Sequence, residues 1–269
     1  MPADVSAAVI TNTPLSSEYN VVALAAPEIA AAAEPGQFVM VKAASGHDPL
    51  LRRPFSVFEV LRDRSGQATG ITLLNKAIGP STRLLSAARP GDRIACLGPL
   101  GHAWGSPAPG STAYMVAGGV GLAAFAMLAE TLAASRVPQV LFYGARTGAE
   151  LFYLDYFRAL GVDLELTTED GTAGERGRIT APLDRRLAAA SGARPVVYAC
   201  GPEGMMAATS RLARQHQAPC FVSLERIMGC GLGGCYSCVV PVRDTDGRVH
   251  HMRSCLAGPV MPAEGIVWD

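Results

Sequence analysis

Seven cysteines stand in a chain of 269 residues, and four of them crowd into the stretch from Cys230 to Cys255. Cys230, Cys235 and Cys238 are spaced C-x4-C-x2-C, and Cys255 follows after an interval of sixteen residues. Thiolates are soft donors that suit zinc and iron–sulfur centres. The spacing is the plant-type pattern in which four thiolates hold a [2Fe–2S] cluster. Gly231, Gly233 and Gly234 fall between the first two ligands. A loop wrapped round a small cluster needs the close approach and backbone freedom that glycine supplies. Other chemistries compete for the same residues. Structural zinc sites usually show two C-x2-C-like pairs, whereas here three ligands are bunched and one is distant. Disulfides need an oxidising compartment. A Rieske centre needs two histidine ligands; His250 and His251 precede Cys255, but the chain holds no C-x-H pair.

Two glycine turns offer a second kind of chemistry. Gly118-Gly119-Val120-Gly121 follows the apolar run Ala113 to Ala117, and Cys200-Gly201-Pro202 follows Pro195 to Ala199. Unpaired amides at a strand-to-helix turn favour phosphate, and glycine lets a diphosphate reach the backbone. Gly118 to Gly121 is a shortened relative of G-x-G-x-x-G, and a plain strand–helix turn explains it as well. Two turns at strand ends point to one crevice, because open parallel sheets bind ligands at the carboxyl ends of their strands. Further upstream lies Arg53-Pro54-Phe55-Ser56. Arg53 suits a diphosphate, by bidentate hydrogen bonding, and Ser56 a flavin ring edge. Phe55 reads equally as core packing. Gly79-Pro80-Ser81-Thr82 places hydroxyls and amides at a helix start, suited to phosphate or to simple capping.

The elements that must position these residues change character along the chain. Residues 1–105 read as short strands at Asn20 to Ala25, Gln37 to Ala43, Leu50 to Phe58, Gly70 to Ile78 and Arg93 to Leu97, separated by turn signals. That spacing predicts a barrel or sandwich. Gly105 to Ser111, rich in Pro and Gly, is the clearest linker. Over 106–218 strands alternate with helices expected at Leu122 to Ser135, Ala149 to Leu160, Thr180 to Ala190 and Gly204 to His216. Such alternation predicts a parallel α/β sheet. Residues 219–269 carry a strand, Cys220 to Leu224, and the cysteine segment.

Bulk properties exclude several classes. Formal net charge is zero, without the basic excess that a nucleic-acid surface needs. Ala103 to Ala129 carries no charge, but its mostly apolar part, Ala113 to Ala129, is broken by Gly118 to Gly121 and preceded by Pro107 and Pro109, which argues against a membrane span. The start MPADVSAAVITNT has neither a basic opening nor a sustained apolar core, so no secretory signal is expected. The expectation is a cytoplasmic protein with reduced thiols, in which Cys96 and Cys220 serve as small buried hydrophobes.

Taken in order, Arg-Pro-Phe-Ser, Gly-Pro-Ser-Thr, Gly-Gly-Val-Gly, Cys-Gly-Pro and the C-x4-C-x2-C…C segment resemble the ferredoxin-NADP reductase superfamily over nearly the whole chain. Within it they are most similar to the electron-transfer subunits of NAD-dependent (class 1B) dihydroorotate dehydrogenases. The segment Ser223-Leu-Glu-Arg-Ile-Met-Gly-Cys230 is the most specific part. The resemblance implies an FAD-binding β barrel (1–105), an α/β nicotinamide-nucleotide domain (106–218) and a small C-terminal [2Fe–2S] lobe (219–269). It implies FAD contacts at Arg53, Pro54, Phe55, Ser56, Leu73, Leu74, Asn75, Ser81 and Thr82. NAD or NADP is implied at Gly118, Gly119, Gly121, Cys200, Gly201 and Pro202, and the cluster at Cys230, Cys235, Cys238 and Cys255. Arg146, after the second α/β strand, could meet a 2′-phosphate or be an ordinary surface residue. A partner is implied as well, an FMN-containing dihydroorotate dehydrogenase catalytic subunit in a heterotetramer, docked near Leu232 and Tyr236.

Three positions depart from the family pattern: Asn75 replaces a frequent aromatic, Ala123-Ala124 replaces prolines, and Gly101-His-Ala-Trp104 replaces a Gly-Asn-x-Phe ending. Small subunits of ferredoxin-NADP bifurcating reductases and hydrogenase diaphorase subunits share these motifs. A zinc-stapled nucleotide-binding regulator is the alternative of a different class.

Overall fold

The computed structural model describes residues 1–44, 46–190 and 194–268. Its first part is a curled antiparallel half-barrel. The strands are β1 (Ala3–Pro14), β2 (Tyr19–Ala25), β3 (Phe38–Lys42), β4 (Arg53–Ser56), β5 (Glu59–Arg62), β6 (Ala68–Lys76) and β7 (Arg93–Leu100), in the order β4-β3-β7-β1-β2-β6-β5. Alternation sets the inner face. In β7, Ile94, Cys96, Gly98 and Leu100 point one way and their neighbours the other, as a period of two requires. Val22, Leu24, Val39, Val41, Ile71 and Leu73 pack with Ile94 and Cys96, joined by Ile29 of α1 (Pro27–Ala32), while Leu100 packs separately with Phe38 and Met40. Each such side chain contributes about 1.5–3 kcal/mol on burial. The sequence did not announce β1: its inward residues include Ala7 and Val9, and small side chains leave a faint alternation. The second helix, α2 (Pro80–Ala87), starts at Gly79, which takes extended backbone dihedrals.

A second sheet follows, built from β8 (Ser111–Gly118), β9 (Gln139–Ala145), β10 (Asp163–Thr168), β11 (Glu175–Arg176), β12 (Arg194–Cys200) and β13 (Cys220–Ser223), all parallel where they pair. The order is β11-β10-β9-β8-β12-β13. Strand order therefore reverses between β8 and β12, the topological switch point at which such sheets open a crevice. Around it stand α3 (Ala126–Ala134), α4 (Leu154–Ala159), α5 (Thr180–Ala188) and α6 (Glu203–Gln215).

Two helices differ from expectation. The run from Leu122 is first a tight 3-10 segment, Gly119–Ala124, and turns α-helical only at Ala126. Ala149 to Leu160 is broken: a 3-10 turn spans Gly148–Glu150, Tyr153 adopts a left-handed φ of 60°, and α4 begins at Leu154. The reason is tertiary. Phe152 packs on Tyr19 at 5.0 Å and Tyr153 on Phe58 at 4.8 Å between ring centroids, so aromatic anchoring to the half-barrel overrides helix propensity.

The chain ends with a hairpin, β14 (Val239–Arg243) and β15 (Val249–Arg253), then α7 (Ser254–Ala257) and β16 (Val260–Pro262). The last strand returns to pair antiparallel with β13 at the edge of the α/β sheet. The presumed linker is anchored: Trp104 Nε1 donates to the Ala124 carbonyl (2.8 Å), and Tyr198 donates its hydroxyl to Gly105 (2.9 Å). Among the described residues no helix is long and apolar enough to cross a membrane.

Candidate functional site

The half-barrel, the switch point and the C-terminal segment enclose a cavity of about 740 Å³. That is the size of a cofactor pocket. Arg53, Pro54, Phe55 and Ser56 of β4 form one wall, and Leu74 with Lys76 of β6 another. Ser81 and Thr82 stand at the start of α2, Val120 and Cys200 come from the two glycine turns, and Ser223 to Met228 close the far side.

Not every residue of the implied set faces this space. Strand parity turns Leu73 into the half-barrel core, where it is fully buried, while Leu74 looks into the cavity. Asn75 is also fully buried. Its carboxamide donates to Asn20 Oδ1 (2.7 Å) and to the Thr82 carbonyl (3.0 Å), so it ties β6 to β2 and α2. Thr82 lines the cavity, yet its hydroxyl donates to the Gly79 carbonyl and accepts from the Ile78 and Gly79 amides. Ser81 is different: its Oγ is buried and has no hydrogen-bond partner among the described residues. Among the described residues Arg53 reaches the carbonyls of Leu51 and Arg52, both at 3.0 Å.

The glycine turns meet at the switch point. A Cβ on Gly121 would lie 2.2 Å from the Cys200 carbonyl oxygen, and one on Gly118 2.7 Å from Pro202 Cδ. Gly201, at φ 144°, abuts Gly118 within 2.9 Å of where its own Cβ would stand. Backbone thus touches backbone, which only glycine permits. Burial pushes the Cys200 thiol far above its ordinary range, so it stays protonated. Glu225, on the cavity wall, has its carboxyl pushed up by the same cause. Sequence reasoning assigned no cavity role to Ser223 to Met228. Two signals were available: the segment runs from the end of β13 to Cys230, and it is the most specific part of the family resemblance.

That segment leads directly into the cysteine loop. Cys238 and Cys255 Sγ atoms lie 3.2 Å apart and are buried with Phe38, Met40, Leu100 and Met228. Cys230 and Cys235 form the outer pair: hydrogen bonds from the Ser237 hydroxyl and amide, then from Cys230, lower the Cys235 thiol to about 6. Burial, and then the neighbouring Cys238, push Cys255 up to about 12. The Leu232 amide donates to Cys230 Sγ at 3.3 Å. Three thiols on a loop whose amides face sulfur and a fourth on α7, in an inner and an outer pair, fit the four-thiolate set of a two-iron cluster. Gly231 and Gly233 take left-handed φ values of 73° and 80°. A Cβ on either would collide, with Met40 at 2.5 Å and Leu256 at 2.4 Å. Ser254 Oγ, buried next to Cys255 in the chain, also lacks a partner among the described residues.

A half-barrel and a switch-point sheet that share one cavity, backed by a thiol loop, define a ferredoxin-reductase-like fold with an iron–sulfur binding region. Residues 225–267 match the iron-sulfur cluster binding domain of dihydroorotate dehydrogenase B, and residues 115–211 the oxidoreductase NAD-binding domain. The electron transfer subunit of dihydroorotate dehydrogenase B (NAD(+)) from Desulforamulus reducens is 36% identical over 91% of this chain and 90% of its own. The corresponding subunit from Bacillus caldolyticus is 38% identical over 87% of each. A solved structure of the NADH-dependent reduced ferredoxin-NADP oxidoreductase superposes with a TM-score of 0.82 at 27% identity, covering 100% of this chain and 92% of that one. The ferredoxin NADP+ reductase of Neisseria gonorrhoeae, at 19% identity and TM-score 0.64, covers 79% of this chain and 91% of that one and shows the same fold. The chain belongs to the family of electron transfer subunits of NAD(+)-dependent dihydroorotate dehydrogenase B.

Proposed function

We propose that this chain passes electrons between the FMN of a dihydroorotate-oxidising partner and NAD, using FAD in the cavity and a [2Fe–2S] cluster in the cysteine loop. One observation carries the reading: Ser223 to Met228 forms a wall of the cavity and is also the run-in to Cys230. The two cofactor sites therefore share one short piece of backbone. When bound, the flavin exchanges electrons in pairs with nicotinamide and singly with iron.

The protein's own groups bind and orient. Arg53 and the unpartnered Ser81 Oγ hold the FAD diphosphate end, and Pro54, Phe55, Ser56 and Leu74 frame the ring. The backbone at Gly118, Gly119, Gly121, Cys200, Gly201 and Pro202 receives the nicotinamide nucleotide. Cys230, Cys235, Cys238 and Cys255 hold the cluster, and the apolar packing of Phe38, Met40 and Leu100 keeps water from the inner thiols. The proposed division of labour is 1–105 for FAD, 106–218 for NAD and 219–269 for the cluster. The proposed assembly is a heterotetramer with the FMN subunit in the cytoplasm, where thiols stay reduced.

Co-purification with the partner tests the whole. The complex should be yellow-brown, contain iron, and reduce NAD when given dihydroorotate. A complex that instead reduces ferredoxin with NADPH, and ignores dihydroorotate, points to a bifurcating enzyme. A colourless protein carrying zinc defeats both.

Two substitutions probe its outer faces. Leu232 and Tyr236 are 54% and 61% exposed on the cysteine loop. This apolar surface is where the flavin-bearing partner docks. Leu232→Asp should weaken assembly by roughly 10-fold or more, because a carboxylate would be desolvated at the interface. Unchanged co-elution would place the interface elsewhere. The other face concerns the choice between NAD and NADP. Arg146 follows β9 and pairs with Glu150 at 2.5 Å and with Glu18 at 3.6 Å, so its charge is already met. Glu150→Gln should free it to attract a 2′-phosphate and raise the NADPH-to-NADH ratio of kcat/KM by up to roughly tenfold. An unaltered ratio in steady-state assays would remove Arg146 from the nucleotide site.

A further inference from the structure

The fourth cluster thiol reaches the loop from outside it, on α7 at the end of β15. Something must hold the two pieces together, and Arg253 spans them. Its Nη1 donates to the Gly233 carbonyl at 2.8 Å, and its guanidinium carbon stands 4.8 Å from the centroid of the Tyr236 ring. One side chain thus grips the cysteine loop at two points, between Cys230 and Cys235 and between Cys235 and Cys238. Both grip points are conformationally committed: Gly233 has φ 80° and Tyr236 φ 60°. The next residue continues the join, with the Ser254 amide donating to the Cys238 carbonyl at 3.0 Å.

The charge matters as much as the grip. No aspartate or glutamate occurs between Glu225 and Asp244, or between Asp246 and Glu264. Both chain segments that form the cluster site are therefore free of acids, and Arg253 introduces a cation there. A [2Fe–2S] centre on four thiolates is anionic when oxidised and gains a further negative charge on reduction. Fixed positive charge beside it favours the reduced state, since net charge and solvent exposure set the potential of such clusters.

We propose that Arg253 clasps the cysteine loop to its fourth ligand and, by its charge, raises the reduction potential of the cluster so that it can take electrons. This deepens the electron-transfer reading and rests on it.

The test uses the holo complex under anaerobic conditions, with potentiometric titration read by electron paramagnetic resonance of the reduced cluster. Arg253→Gln keeps a polar donor and removes the charge. At the potential where the wild-type cluster is half reduced, its reduced-to-oxidised ratio should fall roughly tenfold. Arg253→Lys keeps the charge and should titrate close to wild type, but it lacks the planar fork and should lose iron to a chelator several-fold faster. Val239→Glu provides a route that does not depend on assembly of the Gln variant. Val239 faces Arg253 across β14 and β15, and a carboxylate there neutralises the guanidinium without removing it. Its potential should also fall. Unchanged potentials in Arg253→Gln and Val239→Glu, with iron at wild-type levels, overturn the proposal. If Arg253→Gln does not assemble, an unchanged Val239→Glu potential overturns it alone. A wild-type protein with no iron signal would be a failure of the electron-transfer reading and is distinguishable at the first spectrum.

Discussion

Cys255→Ser is expected to cost the chain its cluster while leaving the flavin in place. Cys255 Sγ lies 3.2 Å from Cys238 Sγ within an apolar wrapping of Phe38, Met40, Leu100 and Met228. A serine oxygen there is a harder, poorly ionised donor that does not replace a thiolate on iron. Altering outer-shell groups of a metal site costs about 10–100-fold in affinity or activity, and losing a ligand from the inner, dry pair should exceed that. Iron content should drop to a small fraction of wild type, and electron transfer to or from the partner should fall by more than roughly 100-fold. Flavin reduction by NADH should persist, because the residues around the cavity contribute none of the four thiols. Cys96→Ser and Cys220→Ser are the controls: Cys96 lies in the half-barrel core and Cys220 against the α/β core, so both should keep their iron. Full iron in Cys255→Ser, measured by chelation and visible absorption, would show that the ligand set is wrong.

The iron–sulfur binding region was legible because the C-x4-C-x2-C…C spacing is written in the sequence itself, and residues 225–267 match such a domain. The cavity was less so. Leu73, Leu74 and Asn75 form one continuous block of the family pattern, yet a strand shows alternate faces, and only Leu74 reaches the cavity. Asn75, which stands in place of a frequent aromatic, is locked between Asn20 and the Thr82 carbonyl. Its role is to join two strands and a helix, something no local pattern encodes. The broken helix before α4 shows the same limit. Helix-forming residues from Ala149 onward yield because Phe152 and Tyr153 find aromatic partners on the half-barrel, more than ninety residues earlier in the chain. Likewise, β1 is silent because small inward residues give a weak period, and pairing with β2 and, far along the chain, with β7 defines it.

Gly121→Ala should weaken nucleotide binding through a single methyl group. The added Cβ would stand 2.2 Å from the Cys200 carbonyl oxygen, 2.5 Å from its carbon and 2.8 Å from Gly201 Cα. All three are backbone atoms, so no side-chain rotation relieves the clash. The strand-end turns of β8 and β12 must separate instead, and both belong to adjacent central strands paired from Arg194↔Ser111 to Cys200↔Ala117. Overpacking of this kind costs about 1–3 kcal/mol and occasionally more, and here it falls on the switch point where the nucleotide is to bind. Thermal unfolding should move down by several degrees, and the NADH dissociation constant should rise by roughly 10-fold or more, since 1.4 kcal/mol is a factor of ten. Gly110→Ala, in the turn before β8 and outside the implied nucleotide set, provides the contrast. Gly110 has φ 79°, but among the described residues no atom lies within 4 Å of where its Cβ would stand. It carries backbone strain of about 1–2 kcal/mol without a collision, and should lose stability while binding NADH within a few-fold of wild type. The iron signal should be intact in both variants, because neither position supplies or contacts a residue of the cysteine segment. If Gly121→Ala bound NADH as tightly as Gly110→Ala, the contact between the two glycine turns would not be the nucleotide site, and the shared cavity would serve the flavin alone.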